Sequence, residues 1–137
     1  MQKRILALDY GEKRIGIAVS DPLGITAQPV DYMKNEGKNK NLLKIKELIL
    51  KYDAKKIVVG VPLTLSGGES KKTKEVNKFI EFLRKNLSIE VDGFNEAMTT
   101  RDAQSVLLEG NVSRKKRKEK IDKLAASLIL QQYLRDQ

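Results

Sequence analysis

At 137 residues the chain is sized for a single domain (residues 1–137), and 40% hydrophobic with 33% charged content is that of a globular protein. It has no cysteine and no histidine, which excludes disulfides, thiolate sites, Ser-His triads and zinc-histidine centres and leaves carboxylates, Lys, Tyr, Ser and Thr for chemistry. A net charge of +9 points to a polyanionic partner, while 5% aromatic content without Trp argues against a base-stacking platform and for backbone contact.

In chain order, the N-terminal Met1-Gln2-Lys3-Arg4 is too short for a signal peptide and no apolar run could span a bilayer, so a cytoplasmic protein with no membrane partner is expected. Ile5–Leu8 and Ile15–Val19 read as strands joined by a tight turn around Gly11. Asp9 stands where the first strand runs out. A hard carboxylate oxygen there, with Gly11 and the cations Lys13 and Arg14 behind it, suits a magnesium or manganese ion meeting a phosphate; a hairpin using Asp and Gly only as turn formers is the alternative. Residues 25–33 read as a third antiparallel strand that Pro29 places at an edge or marks with a bulge.

A polar loop, 35–41, leads to a helix announced by Leu42, Ile45, Leu48, Ile49 and Tyr52. Residues 56–60 read as a buried strand. Ser66-x-x-Glu69 offers a capping box for a helix carrying Val76, Phe79, Ile80, Leu83 and Leu87. Residues 89–94 alternate as a strand that delivers Asn95 and Glu96, and Thr99 or Thr100 caps a further helix stopped at Gly110. Arg114, Lys115, Lys116, Arg117, Lys118 and Lys120 form a basic run, read as a nucleic-acid-binding loop or a solvated linker, before a closing helix over 121–134. Three antiparallel strands followed by alternating helix and strand imply an α/β fold, a mixed sheet with helices on its faces.

Asp9 and Glu96 each follow a strand, the place where ligands bind in open α/β sheets. Asp122 shares a helical face with Ala125, Ala126 and Ile129. An acid on such a face is costly unless a cation meets it, or else it caps the first turn of the helix. Together the three carboxylates suit two-metal phosphodiester hydrolysis, which needs neither histidine nor cysteine. Asp21 and Asp102 read as a turn residue and a helix-start residue.

The sequence resembles the YqgF family, small RNase H-like proteins described as Holliday junction resolvases and as nucleases of pre-16S ribosomal RNA. The resemblance rests on residues 9–21, Ala27-Gln28-Pro29, Val59-Gly60-Val61-Pro62-Leu63, residues 95–100 and residues 121–131, together spanning almost the whole chain. It implies an RNase H-like five-stranded sheet with helices on both faces, and an acidic triad at Asp9, Glu96 and Asp122 holding two Mg²⁺ or Mn²⁺ ions. It further implies a nuclease acting on an rRNA precursor or on branched or single-stranded DNA, working as a monomer or weak homodimer. Lys13, Arg14, Arg114, Lys115, Lys116 and Arg117 would meet phosphates. Where the family reads Asp-Glu-Arg, this chain has Asn95-Glu96-Ala97, an amide for an acid and no cation. A binding protein without catalysis is therefore a rival reading. Actin-like ATPases and sugar kinases share the opening motif but need a second lobe that 137 residues cannot supply.

Overall fold

The computed structural model describes residues 4–62, 70–95 and 114–136, the last stretch by backbone alone up to residue 123. Its centre is a five-stranded sheet of order β3-β2-β1-β4-β5, built from β1 (Arg4–Tyr10), β2 (Arg14–Ser20), β3 (Ala27–Lys34), β4 (Ala54–Val61) and β5 (Glu90–Asn95). The first three strands are antiparallel neighbours. β4 and β5 run parallel to β1, so β1, β4 and β5 all end at one edge. The helices are α1 (Lys38–Tyr52), α2 (Lys71–Asn86) and α3 (Arg114–Arg135).

Strand alternation splits the core in two. Leu6, Leu8, Ile15, Ile17, Ile57 and Val59 face α1 and α2, meeting Ile45, Val76, Phe79, Ile80 and Leu83. Ile5, Ala7, Ala18 and Val58 face α3, meeting Ala126, Ile129 and Leu130. The second layer includes alanines on both partners, Ala7 and Ala18 on the sheet and Ala126 on the helix, where the two can approach closely. Buried Ser20 serves this layer by accepting the Ile5 N–H from the neighbouring strand at 2.8 Å.

Pro29 marks both an edge and a bulge. β3 is the outermost strand, and its register with β2 slips between Ile17↔Asp31 and Ala18↔Pro29, leaving Val30 as the extra residue. Asp21 holds the β2–β3 connection: its Oδ1 accepts the Ile25 and Thr26 N–H groups, both at 2.7 Å. The bond from Thr26 leads in holding this carboxyl below its ordinary pKa, which makes Asp21 the turn residue expected.

Several boundaries differ from the sequence reading. α1 begins at Lys38, earlier than Leu42, after Gly37 with φ 100°; its first residues are exposed and so leave no apolar period to detect. The cap of α2 is Ser70, not Ser66. Ser70 Oγ accepts the Thr73 N–H at 3.1 Å, Thr73 Oγ1 accepts the Ser70 N–H at 3.2 Å, and the Thr73 hydroxyl donates to the Pro62 carbonyl. A hydroxyl at the third helical position closes the box as a Glu would, and Ser66 and Glu69 lie outside the described residues. The basic run is not a loop. Residues 114–120 are the first turns of a 22-residue helix, since Lys, Arg and Glu are strong helix formers and no Gly or Pro interrupts them. The helix expected after Thr99 or Thr100 lies outside the described residues, as does Asp102.

Two measurements test these local devices. Ser70→Ala should lower stability by about 1 kcal/mol, the usual worth of an N-cap, as read by urea unfolding; an unchanged midpoint would mean that the Thr73 bond to Pro62 suffices. Asp21 stabilises its loop while ionised, because its folded pKa lies below the ordinary 3.8. That contribution is present above 3.8 and lost as pH falls through the folded value. Amide-exchange protection at Ile25 and Thr26 should therefore collapse in acid and, at neutral pH, in Asp21→Ala. Protection persisting in the variant would show that the loop is held by other means.

Candidate active site

The alternation that buries Leu6 and Leu8 on the α1–α2 side sends Asp9 to the α3 side, with Ile5 and Ala7. Tyr10, one residue on, returns to the other side and packs against Phe79. Asp9 thus sits half-buried at the carboxyl edge of the parallel strands, on the face that α3 covers. Its antiparallel neighbour is Gly16. On the other flank, Leu8 pairs with Val59, so the next residue along β4, Gly60, comes beside Asp9. Two glycines flanking one carboxylate put no strand side chain directly level with it. Sequence reasoning passed over Gly16 and Gly60, because only the register reveals that both border Asp9.

The turn after β1 is closed by Gly11. A Cβ there would meet the Arg14 carbonyl oxygen at 2.6 Å, so only glycine fits. Asn35 braces the turn, its Nδ2 donating to the Gly11 carbonyl at 2.8 Å and its N–H to the Lys13 carbonyl at 2.9 Å. Lys13 is exposed at this turn, while Arg14 is half-buried with its guanidinium 5.3 Å from the centre of the Tyr32 ring. Arg14 shares the α3 side with Gly16, on the strand beside Asp9. Both predicted cations therefore border the Asp9 end of the sheet, and Arg14 is held against an aromatic face.

β5 ends at Asn95, level with Val61 and on the same sheet edge. Glu96 is the next residue in the chain and lies outside the described residues. Asp122 belongs to α3, whose backbone is described there while its side chain is not. Helix α3 starts at Arg114, so Asp122 is more than two turns inside it, which removes the reading of Asp122 as a first-turn cap. The last turns of α3 lie at the opposite end of the sheet, where Gln131, Leu134 and Arg135 border Gly24–Ala27. The side chains of Arg114, Lys115, Lys116 and Arg117 are also outside the described residues. Among the described residues no group of three or more His, Cys, Asp or Glu side chains could hold a metal ion, and of the three expected ligands only Asp9 has a described side chain.

A polar clamp that sequence reasoning did not find joins α3 to the parallel strands. Lys56 Nζ lies 2.9 Å from Asp92 Oδ2 and 4.9 Å from the centre of the Tyr133 ring, and the Tyr133 hydroxyl donates to Asp92 Oδ2 at 3.4 Å. Partial burial works against the Lys56 ammonium, but its hydrogen bonds to Tyr133 and Asp92 outweigh burial and raise its pKa above the ordinary lysine value. The Tyr133 ring also meets Phe94 edge-on at 5.9 Å. The clamp fixes the helix that carries Asp122 against the strand that precedes Glu96. Its only sequence signal is Asp92 and Phe94 falling on one side of β5.

Among the described residues no helix is long and apolar enough to cross a membrane. Residues 3–136 match the RuvX family, described as a Holliday junction resolvase. A protein of Halothermothrix orenii named "Putative pre-16S rRNA nuclease" is 46% identical over 131 residues, covering 96% of this chain and 94% of its own. One of the same name from Syntrophomonas wolfei is 47% identical, covering 96% and 93%. In structure the chain is similar to Thermus thermophilus RuvC in complex with a Holliday junction substrate, with a TM-score of 0.57 at 12% identity over 97% of this chain and 96% of that one. It is similar also to the fowlpox virus Holliday junction resolvase, with a TM-score of 0.56 at 15% identity over 98% and 99%. These likenesses give the fold as RNase H-like. With a matching family model and near full-length relatives, the chain belongs to the RuvX family of Holliday junction resolvases and is a nuclease, a hydrolase of phosphodiester bonds.

Proposed function

We infer that this chain is a single-domain, divalent-metal-dependent nuclease that processes the 5′ end of pre-16S ribosomal RNA, with Asp9, Glu96 and Asp122 as its catalytic carboxylates. One observation carries the reading: Asp9 stands at the carboxyl edge of three parallel strands, between Gly16 and Gly60, on the face covered by the helix of Asp122. The donor set fits the metal. Carboxylate oxygens are the ligands that magnesium and manganese take, and the two glycines leave room for a cation and a phosphate beside Asp9. When bound, such cations supply an activated water and stabilise the leaving oxygen. Asp9, Glu96 and Asp122 would hold these cations through their carboxylate oxygens.

The remaining residues bind and orient the strand. Lys13 in the exposed turn and Arg14 over Tyr32 would hold phosphates next to the one that is cut. Arg114, Lys115, Lys116 and Arg117 occupy the first turn of α3, which contains no acid. Cations at the positive end of a helix repel its dipole, and a polyanionic backbone laid across them relieves that repulsion. The name shared by near full-length relatives at 40–47% identity favours the ribosomal precursor. The family's own description favours a second reading, resolution of branched DNA in recombination and repair. A silent binding module is the third, favoured by Asn95 and Ala97. The protein is read as cytoplasmic, a monomer or weak homodimer.

Cleavage of a labelled pre-16S fragment and of a four-way DNA junction, with Mg²⁺, Mn²⁺ or EDTA, tests the assignment. Asp9→Asn should lose more than the roughly 10–100-fold that outer-shell partners of a metal cost, while binding persists. Wild-type turnover in that variant would remove Asp9 from the site, and faster cutting of the junction would select the second reading. Replacing Arg114, Lys115, Lys116 and Arg117 together by Gln should weaken binding and flatten its dependence on salt, by about one unit of slope for each phosphate no longer neutralised. An unchanged slope would leave these four residues outside the interface.

A further inference from the structure

On the side of the sheet opposite Asp9, the same end of β1 borders a second cavity. It has a volume of about 260 Å³, and its lining includes Tyr10, Phe79 and Phe82, with Lys38, Lys78 and Glu75 around them. Three of the chain's seven aromatic residues (4 Tyr and 3 Phe) therefore converge on one opening. Tyr10 and Phe79 stack with ring centres 4.5 Å apart and planes inclined by 34°, forming a fixed floor. Phe82 is half-buried, and the ammonium of Lys38 lies 5.7 Å from the centre of its ring. An exposed lysine over an aromatic face is weakly held, so a flat ligand can displace it.

The wall is preformed. Asn41, 1% exposed, donates from Nδ2 to Asn35 Oδ1 at 2.8 Å and accepts the Glu36 N–H at 3.1 Å. Asn35 in turn donates to the Gly11 carbonyl at 2.8 Å. The cavity is thereby tied to the turn that follows Asp9 and Tyr10. At about 260 Å³ it falls below the range of roughly 300–1,000 Å³ that houses drug-sized ligands. Aromatic faces flanked by two lysines suit a planar ring carrying an anionic substituent.

We propose that this cavity is a nucleobase subsite, taking a base of the substrate strand next to the phosphate held at Asp9. The proposal rests on the reading of Asp9 as the cleavage centre. Asp9 and Tyr10 are consecutive on β1 and face opposite sides, so a strand crossing the edge of the sheet meets the carboxylate first and the aromatic floor next. The base stacks on Phe82 in place of Lys38. Lys38 and Lys78 then receive the adjoining phosphate, and Glu75 accepts from an N–H on the edge of the base. An unpaired base is required, which makes the preferred substrate single-stranded on one side of the cut.

The test is NMR titration of the full chain with adenosine and guanosine 5′-monophosphates, and with ribose 5-phosphate as the base-free control. The nucleotides should shift the resonances of Tyr10, Phe79 and Phe82, and ribose 5-phosphate should leave them in place. Affinity for a short single-stranded RNA should fall about tenfold in Phe82→Leu, within the range for loss of one stacked base, and several-fold in Lys78→Gln, an exposed site where the fold is not at stake. Ring resonances unmoved by either nucleotide, or equal RNA affinity in both variants, would overturn the subsite. Because nucleotide binding is read without catalysis, a chain that binds nucleotides here yet cuts RNA normally as Asp9→Asn would refute the cleavage centre and leave the pocket standing.

Discussion

The two-residue period of β1 governs this molecule. Successive side chains of a strand point to opposite faces, and in β1 that rule assigns Leu6 and Leu8 to one hydrophobic layer and Ile5 and Ala7 to the other. Both layers are closed, so the register cannot slip by a residue without turning each set toward the wrong helices. The carboxylate at the end of the strand inherits that certainty. Asp9 faces α3 because Leu8 must face α1 and α2. Gly11 then fixes where the strand ends, since a single added carbon would strike the Arg14 carbonyl.

Much of this was legible in the sequence. The strands and their succession along the chain followed from apolar runs and turn residues, a mixed sheet followed from that succession, and the sheet has the five strands that the family resemblance implies. What was hidden is what periodicity cannot detect. The first turn of α1 buries only the polar Asn41, and Gly37 gives no side-chain cap, so no apolar period marked its start. The Ser70–Thr73 box uses a hydroxyl where the familiar pattern has a carboxylate. The basic run read as a loop because charge density suggested solvent, yet residues of strong helical propensity begin a helix that runs to Arg135.

The site divides in the same manner. Asp9, Lys13 and Arg14 were legible because they adjoin one another around one turn. The glycines beside Asp9 come from β2 and β4, 7 and 51 positions along the chain from it, and only pairing joins them. The Lys56–Asp92–Tyr133 clamp likewise draws on three elements, with Tyr133 standing 41 positions after Asp92. Such long-range polar groups carry no local pattern.

The slipped register of β3 has a bearing on solubility. An open sheet offers its outermost strand as a template for other chains, and a long, flat, apolar edge invites aggregation. Here the outer strand lacks one amide hydrogen at Pro29 and is bent by the extra residue Val30. Incoming strands find neither a complete row of donors nor a straight path. At this edge of the sheet, β5 forming the other, the missing donor and the bend both oppose pairing with a second chain.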